Sequence, residues 1–196
     1  MDLSSSLKSE IFRPLVTLVV PGAIALGPYL IVARNYFDEV KTFWDDHPSA
    51  FVAVLAICIL AAGTILENIG TAIERLWDRR LNKRTGNKHD KDWHDYLKLE
   101  VKDEVIGQRY LRIAVTWLKF ELAMLPALFL FWLGFLWVNH LHEVWSAGYF
   151  FWFSVVVWCL GLYLGYESWR SAKALAAIRK DVIGAVNSRS TKPLTP

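Results

Sequence analysis

"VTWLKFELAMLPALFLFWLGFLWV", Val115–Val138, settles the class of this chain. Its only charges are Lys119 and Glu121, and most of the rest is leucine, phenylalanine, tryptophan or another apolar residue. A helix apolar on every side has no face to turn to water. Roughly 20 such residues cross the hydrocarbon of a bilayer. The stretch predicts a membrane-spanning helix, and it asks why two charges are carried on the way in.

Three more apolar blocks lie outside it: Pro14–Ala33, Ala50–Leu66 and Ala147–Tyr166. The chain of 196 residues is 54% hydrophobic, above the ~45–50% of soluble domains, and its mean hydropathy is +0.27. The expected fold is an all-α integral membrane protein. It has four transmembrane helices, at about 14–34, 49–69, 113–138 and 147–166, and a cytoplasmic amphipathic helical insertion, 70–112, between spans 2 and 3. The first block is too long for a signal peptide, and no small-x-small cleavage site follows it, so it reads as retained. Cys58 and Cys159 fall in mid-block and read as free thiols in lipid or in helix packing.

Charge orients the chain. Segment 70–112 has eleven Lys/Arg against eight Asp/Glu, and 167–196 has six against two. Residues 35–48 have only Lys41 against four acids, and the loop from Asn139 to Ser146 has no Lys or Arg. Excess Lys and Arg stay in the cytoplasm, so a multi-pass protein of the cell membrane with both termini cytoplasmic is expected. Trp44, Trp137 and Trp145 mark the outer boundary, and Trp117 and Trp169 the inner one. The net charge of +3 is accounted for by topology; direct nucleic-acid binding would call for a denser basic patch with stacking aromatics.

Span 2 runs on as a basic amphipathic helix. Ile69, Ile73, Leu76 and Trp77 share one face, and Arg75, Arg79, Arg80 and Arg84 are offered to a soluble partner. Gly86 and Asn87 break that helix. A second amphipathic helix carries Trp93, Leu97, Val101 and Val105. The end of the chain has a shorter pattern, Leu175, Ile178, Val182 and Ala185, before a stretch, 187–196, expected to be disordered.

The charges in the spans gather at the cytoplasmic third. Lys119 and Glu121 are two residues apart, so their side chains point about 200° from each other on a helix. With span 3 starting at Ile113, Glu121 lies roughly 12 Å in. Lys119 is expected to reach back to the headgroups on its long stem. Glu121 is expected to face the bundle interior near Glu67 and Asn68, with Glu167 at the same depth. Gly63, Glu67, Gly70 and Glu74 form one stripe, and Gly161 and Gly165 form a GxxxG; the four glycines are expected to line close helix contacts. Pro21 and Pro28 should kink or break span 1 near Gly22 and Gly27.

Weaker patterns have cheaper readings. Arg84 and His89 have a spacing found in some RNA-cleaving helical domains, but "TGNK" between them favours a loop. His89 and His94 do not share a helical face, and Asp90 or Asp92 can cap a helix. His140, His142 and Glu143 read as interfacial polar residues. No nucleotide, hydrolase or metalloprotease motif is present, so no cofactor, metal or catalytic residue is assigned.

In layout alone the chain resembles small bacterial membrane subunits that serve as effectors or anchors of multi-protein systems, phage defence among them. Such likeness implies no function by itself. The expected function is an oligomeric membrane component that conducts ions or perturbs the bilayer under control of 70–112. The alternatives are a non-conducting anchor or scaffold recruiting a soluble protein, and a proton-coupled transporter.

Overall fold

A computed structural model describes the backbone of residues 15–85 and 106–190, and the side chains of 15–80 and 113–178. The described residues are helical almost throughout. In chain order, α1 is Val20–Tyr36, α2 Asp38–Asp46, α3 Pro48–Thr85, α4 Ile106–His142 and α5 Ala147–Ser190. Four helical stretches are long and apolar enough to cross a membrane: Leu15–Tyr36, Pro48–Arg80, Ile113–His142 and Ala147–Ile178.

The N-terminal stretch keeps its helix where its prolines threatened a break. A π-helical turn, Leu15–Val19, precedes α1, just where the missing N–H of Pro21 would otherwise disturb the ladder. Pro28 lies inside α1, which runs unbroken across Gly22 and Gly27. The expected break is therefore absorbed by one wide turn upstream. Neighbours hold the segment in place: Pro21 and Pro28 are fully buried, and the Tyr29 hydroxyl donates to the Leu130 carbonyl at 3.0 Å, tying α1 to α4.

The connection to α3 folds as α2, an exposed short helix. Asp38 and Glu39 lie in its first turn, where the helix dipole favours carboxylates. Arg34 sits 4.8 Å over the Trp44 ring and 3.7 Å from Asp45. The Trp44 and Phe51 rings are 4.3 Å apart, so aromatic packing fastens α2 to the start of α3.

α4 is the central helix. It packs on α1, α3 and α5, whereas α5 packs mainly on α4. The consequence is visible in burial: 39% of the apolar window of α4 is buried, against 11% for α3 and 6% for α5. Three clusters hold the assembly. Ala25, Leu66 and Ala127 meet where α1, α3 and α4 cross. Met124, Leu128 and Val157 join α4 to α5. Leu118, Leu122, Ala172 and Leu175 form the third, with Ile73 and Trp77 of α3 packed on it.

The small residues at the crossings do the fitting. A Cβ at Gly22 would strike the Ile59 carbonyl, and one at Gly63 the Leu18 carbonyl, so α1 and α3 touch backbone to backbone. A Cβ at Gly70 would lie 3.0 Å from the Leu122 carbonyl carbon, and one at Gly134 2.7 Å from the Pro28 ring. The expectation for the other two glycines is corrected: a Cβ at Gly161 has nothing within 4 Å, and at Gly165 only Leu125 Cδ2 at 3.9 Å. Both are half-buried, Gly165 toward Leu125 of α4, and among the described residues no backbone approaches either closely.

The helices outrun the expected spans. α3 has 38 residues and α5 has 44, about 57 and 66 Å at 1.5 Å per residue. α3 continues to Thr85, and α5 continues through Ser190, into the stretch 187–196 expected to be disordered. Beyond residue 166 no proline precedes Pro193, and the one glycine there, Gly184, costs a helix only ~1 kcal/mol. The expected helix over Trp93–Val105 and the side chain of Arg84 lie outside the described residues, as do His89, Asp90, Asp92 and His94.

Candidate functional site

The charged residues of the bundle collect at one level, near the ends of α3 and α5 that run on past the apolar runs. Two separate stations occur there, on opposite sides of α4. On the α3 side, Lys119 Nζ donates to Glu67 Oε1 at 3.1 Å, with 29% of each side chain exposed. Lys119, expected to reach toward the headgroups, turns toward α3, where Glu67 supplies an acceptor within reach of its stem. Asn68, one position on, turns outward and is exposed.

On the α5 side is Glu121. It does not meet Glu67 or Asn68, and the expectation that it would is corrected. Its carboxyl lies beside the Ser171 hydroxyl and near the Glu167 carboxylate. Its Oε2 is buried and has no hydrogen-bond partner among the described residues. Glu167, half-buried, is 4.0 Å from the exposed Arg170 one turn on, and a pair with one partner in water contributes little. A groove of about 380 Å³ opens beside Glu121, lined by Ile113, Trp117 and Leu175 among others.

The split follows from helix geometry. Residues 119 and 121 stand some 200° apart, and α4 has a helix on either side, so each charge meets a different neighbour. Pairing of one and isolation of the other come from what those neighbours carry: Glu67 on α3, Ser171 and Glu167 on α5.

Aromatic rings bracket this level. Trp77 and Trp169 meet edge to face at 5.6 Å, Lys173 lies 4.9 Å from the Trp169 ring, and Trp117 is half-exposed. Trp77 belongs with Trp117 and Trp169, although the sequence reading used it as a face residue only. Arg75, Arg79 and Arg80 are exposed further along α3. At the other end, Trp132 Nε1 donates to Ser154 Oγ at 3.0 Å, and the Ser154 hydroxyl in turn donates to the Phe150 carbonyl at 2.9 Å. This link between α4 and α5 is not legible in the sequence: Ser154 stands out as a serine in an apolar block, but nothing there pairs it with Trp132. Glu143 has a φ of 47° where α4 ends, while Asn139 Oδ1 accepts from the Trp145 N–H at 2.8 Å. His142 sits against the Tyr36 ring at 5.7 Å. Cys58 and Cys159 are exposed free thiols. Among the described residues no three His, Cys, Asp or Glu side chains converge as metal ligands would.

These features define an all-helical chain with the build of a multi-pass membrane protein, carrying a belt of charge at one end of its apolar helices. Comparison with known proteins adds nothing narrower: no family model, curated protein or solved structure matches the chain.

Proposed function

We propose that this chain is a membrane anchor whose working part is a helical stalk on the cytoplasmic side, where it holds a soluble protein. The observation that carries this reading is the cluster around Leu118, Leu122, Ala172 and Leu175. It straddles the charged level: Leu122 is on the apolar side of Glu121, while Leu118, Ala172 and Leu175, with Ile73 and Trp77, lie where α3, α4 and α5 continue together past it. From that level to the opposite ends of α3, α4 and α5 is about 20 residues, or ~30 Å, the thickness of the hydrocarbon. Placed so, Lys119, Glu121, Glu67 and Glu167 stand at the membrane surface, and 113–118 belong to the stalk. That answers the question raised by the opening stretch: the charges mark where the membrane begins. The asymmetry of Lys and Arg supports a cytoplasmic stalk, and exposed Arg75, Arg79 and Arg80 are its partner-facing side.

Within the apolar level, Ala25, Leu66 and Ala127 fill the crossing of α1, α3 and α4, which favours anchoring over conduction by one chain. A second reading is conduction by an oligomer. It is favoured by Ala61, Thr64 and Asn68, an exposed stripe of small and polar residues on α3 that could line a path between copies. The lightly buried faces of α3 and α5 would then meet a second copy; in the first reading they meet lipid.

Reconstituted liposomes separate the two. An anchor leaves ion flux at the level of protein-free vesicles. Flux that rises with protein content and falls in Asn68→Leu would overturn the anchor and establish the oligomeric conductor. Sidedness is tested by labelling single cysteines in intact cells: positions 42 and 146 should react from outside, and 86 and 190 should not.

A further inference from the structure

The groove between α4 and α5 has features of a ligand site that neither anchoring nor conduction requires. Its volume of about 380 Å³ is within the ~300–1,000 Å³ usual for small-molecule sites. One end carries Glu121, whose Oε2 is buried and without a hydrogen-bond partner among the described residues. The walls leading away from it are apolar, with Ile113 and Ile178 at the far end. These spacings are short: Ile113 to Glu121 on α4 is about 12 Å at 1.5 Å per residue.

A buried acceptor left unpaired costs roughly 1–3 kcal/mol, more when charged. Lys119, the cation nearest in sequence, is on the other side of α4 and committed to Glu67. Glu167, the second carboxylate near Glu121, adds negative potential, which the solvent-exposed Arg170 4.0 Å from it offsets only in part. Trp117, half-exposed on the groove wall, offers a ring face, and ring faces attract cations. Water could satisfy one oxygen, but it would leave the apolar walls uncovered.

The geometry points to a binding site for a lipophilic amine: one apolar body lying along Ile113, Leu175 and Ile178, with its protonated nitrogen donating to Glu121 Oε2. A diacyl aminophospholipid suits the site less well. Its tails belong in the bilayer, whereas the apolar walls run from Glu121 toward the stalk.

The test uses monodansylcadaverine, a primary ammonium on a short alkyl stem ending in a naphthalene ring, whose emission rises in apolar surroundings. The full chain is placed in nanodiscs of phosphatidylcholine, which has no primary amine, and empty discs give the partition background. Saturable binding above that background is expected. Glu121→Gln should weaken it about tenfold or more, as loss of a charge-assisted hydrogen bond does. Ala174→Trp, which fills the groove without touching the carboxylate, should abolish it. Both variants must keep the wild-type melting temperature; if Glu121→Gln does not, Ser171→Ala, which removes the hydroxyl beside the carboxyl, takes its place and should alter affinity severalfold. Equal saturable binding by wild type and Glu121→Gln, or none by wild type, overturns the proposal. Displacement of the probe by phosphatidylethanolamine added to the discs also overturns it, by reassigning the site to a lipid headgroup.

Discussion

Replacing Gly63 and Gly161 by alanine should move stability in opposite directions, although both are helix-interior glycines in apolar runs. At Gly63 the new Cβ would strike the Leu18 carbonyl oxygen and lie 2.6 Å from Leu18 C and 2.8 Å from Leu18 Cα. All three are backbone atoms, so no side chain can swing aside and the two helices must separate. Gly22 faces Ile59 and Gly63 in the same way, so the whole crossing opens. Overpacking of this kind costs about 1–3 kcal/mol, and a gap of ~1 Å forfeits up to half of the dispersion across the seam. Alanine recovers ~1 kcal/mol of helix propensity. Because the clash is with backbone atoms that cannot swing aside, the cost falls in the upper part of that range, and the net expectation for Gly63→Ala is a loss of up to about 2 kcal/mol. At Gly161 nothing lies within 4 Å, so only the propensity term remains, and Gly161→Ala should gain about 0.5–1 kcal/mol. The assay is reversible unfolding in mixed micelles, followed by tryptophan fluorescence at low protein concentration so that contacts between copies do not contribute. A Gly63→Ala protein as stable as wild type would refute the backbone contact between α1 and α3. A loss at Gly161 that appears only at high protein concentration would instead place Gly161 between copies.

The Lys119–Glu67 pair should show coupling: Glu67→Gln and Lys119→Gln together should cost less than the sum of the two by about 1 kcal/mol in a double-mutant cycle, and additivity would remove the pair. Glu143→Gly should stabilise by about 1 kcal/mol, because a left-handed backbone costs a side-chain-bearing residue roughly that much; chemical denaturation in detergent reads it, and no gain would deny the positive φ. Trp132→Phe should cost about 1 kcal/mol through loss of its bond to Ser154, near the value for such bonds between membrane helices, and Ser154→Ala added to it should cost little more; two full, additive losses would mean that the groups do not pair.

The four apolar helices, and roughly where they lie, were legible along the chain, because four apolar runs of spanning length have few other uses; the short helix α2 was not. Also legible was the opposite pointing of Lys119 and Glu121, which helix periodicity fixes. Which neighbour each would meet was not. Lipid tails are as apolar as leucine, so an apolar pattern does not tell a face against lipid from a face against another helix. For that reason Gly161 and Gly165 looked like contact residues, while Gly22 was read only as a point of kinking and Gly134 not at all. Only the packing of α4 between α3 and α5 gave Lys119 to Glu67, left Glu121 beside a groove, and put both at the level where Glu167 and Arg170 stand. Depth is a property of three helices in register, and one helix read alone does not contain it.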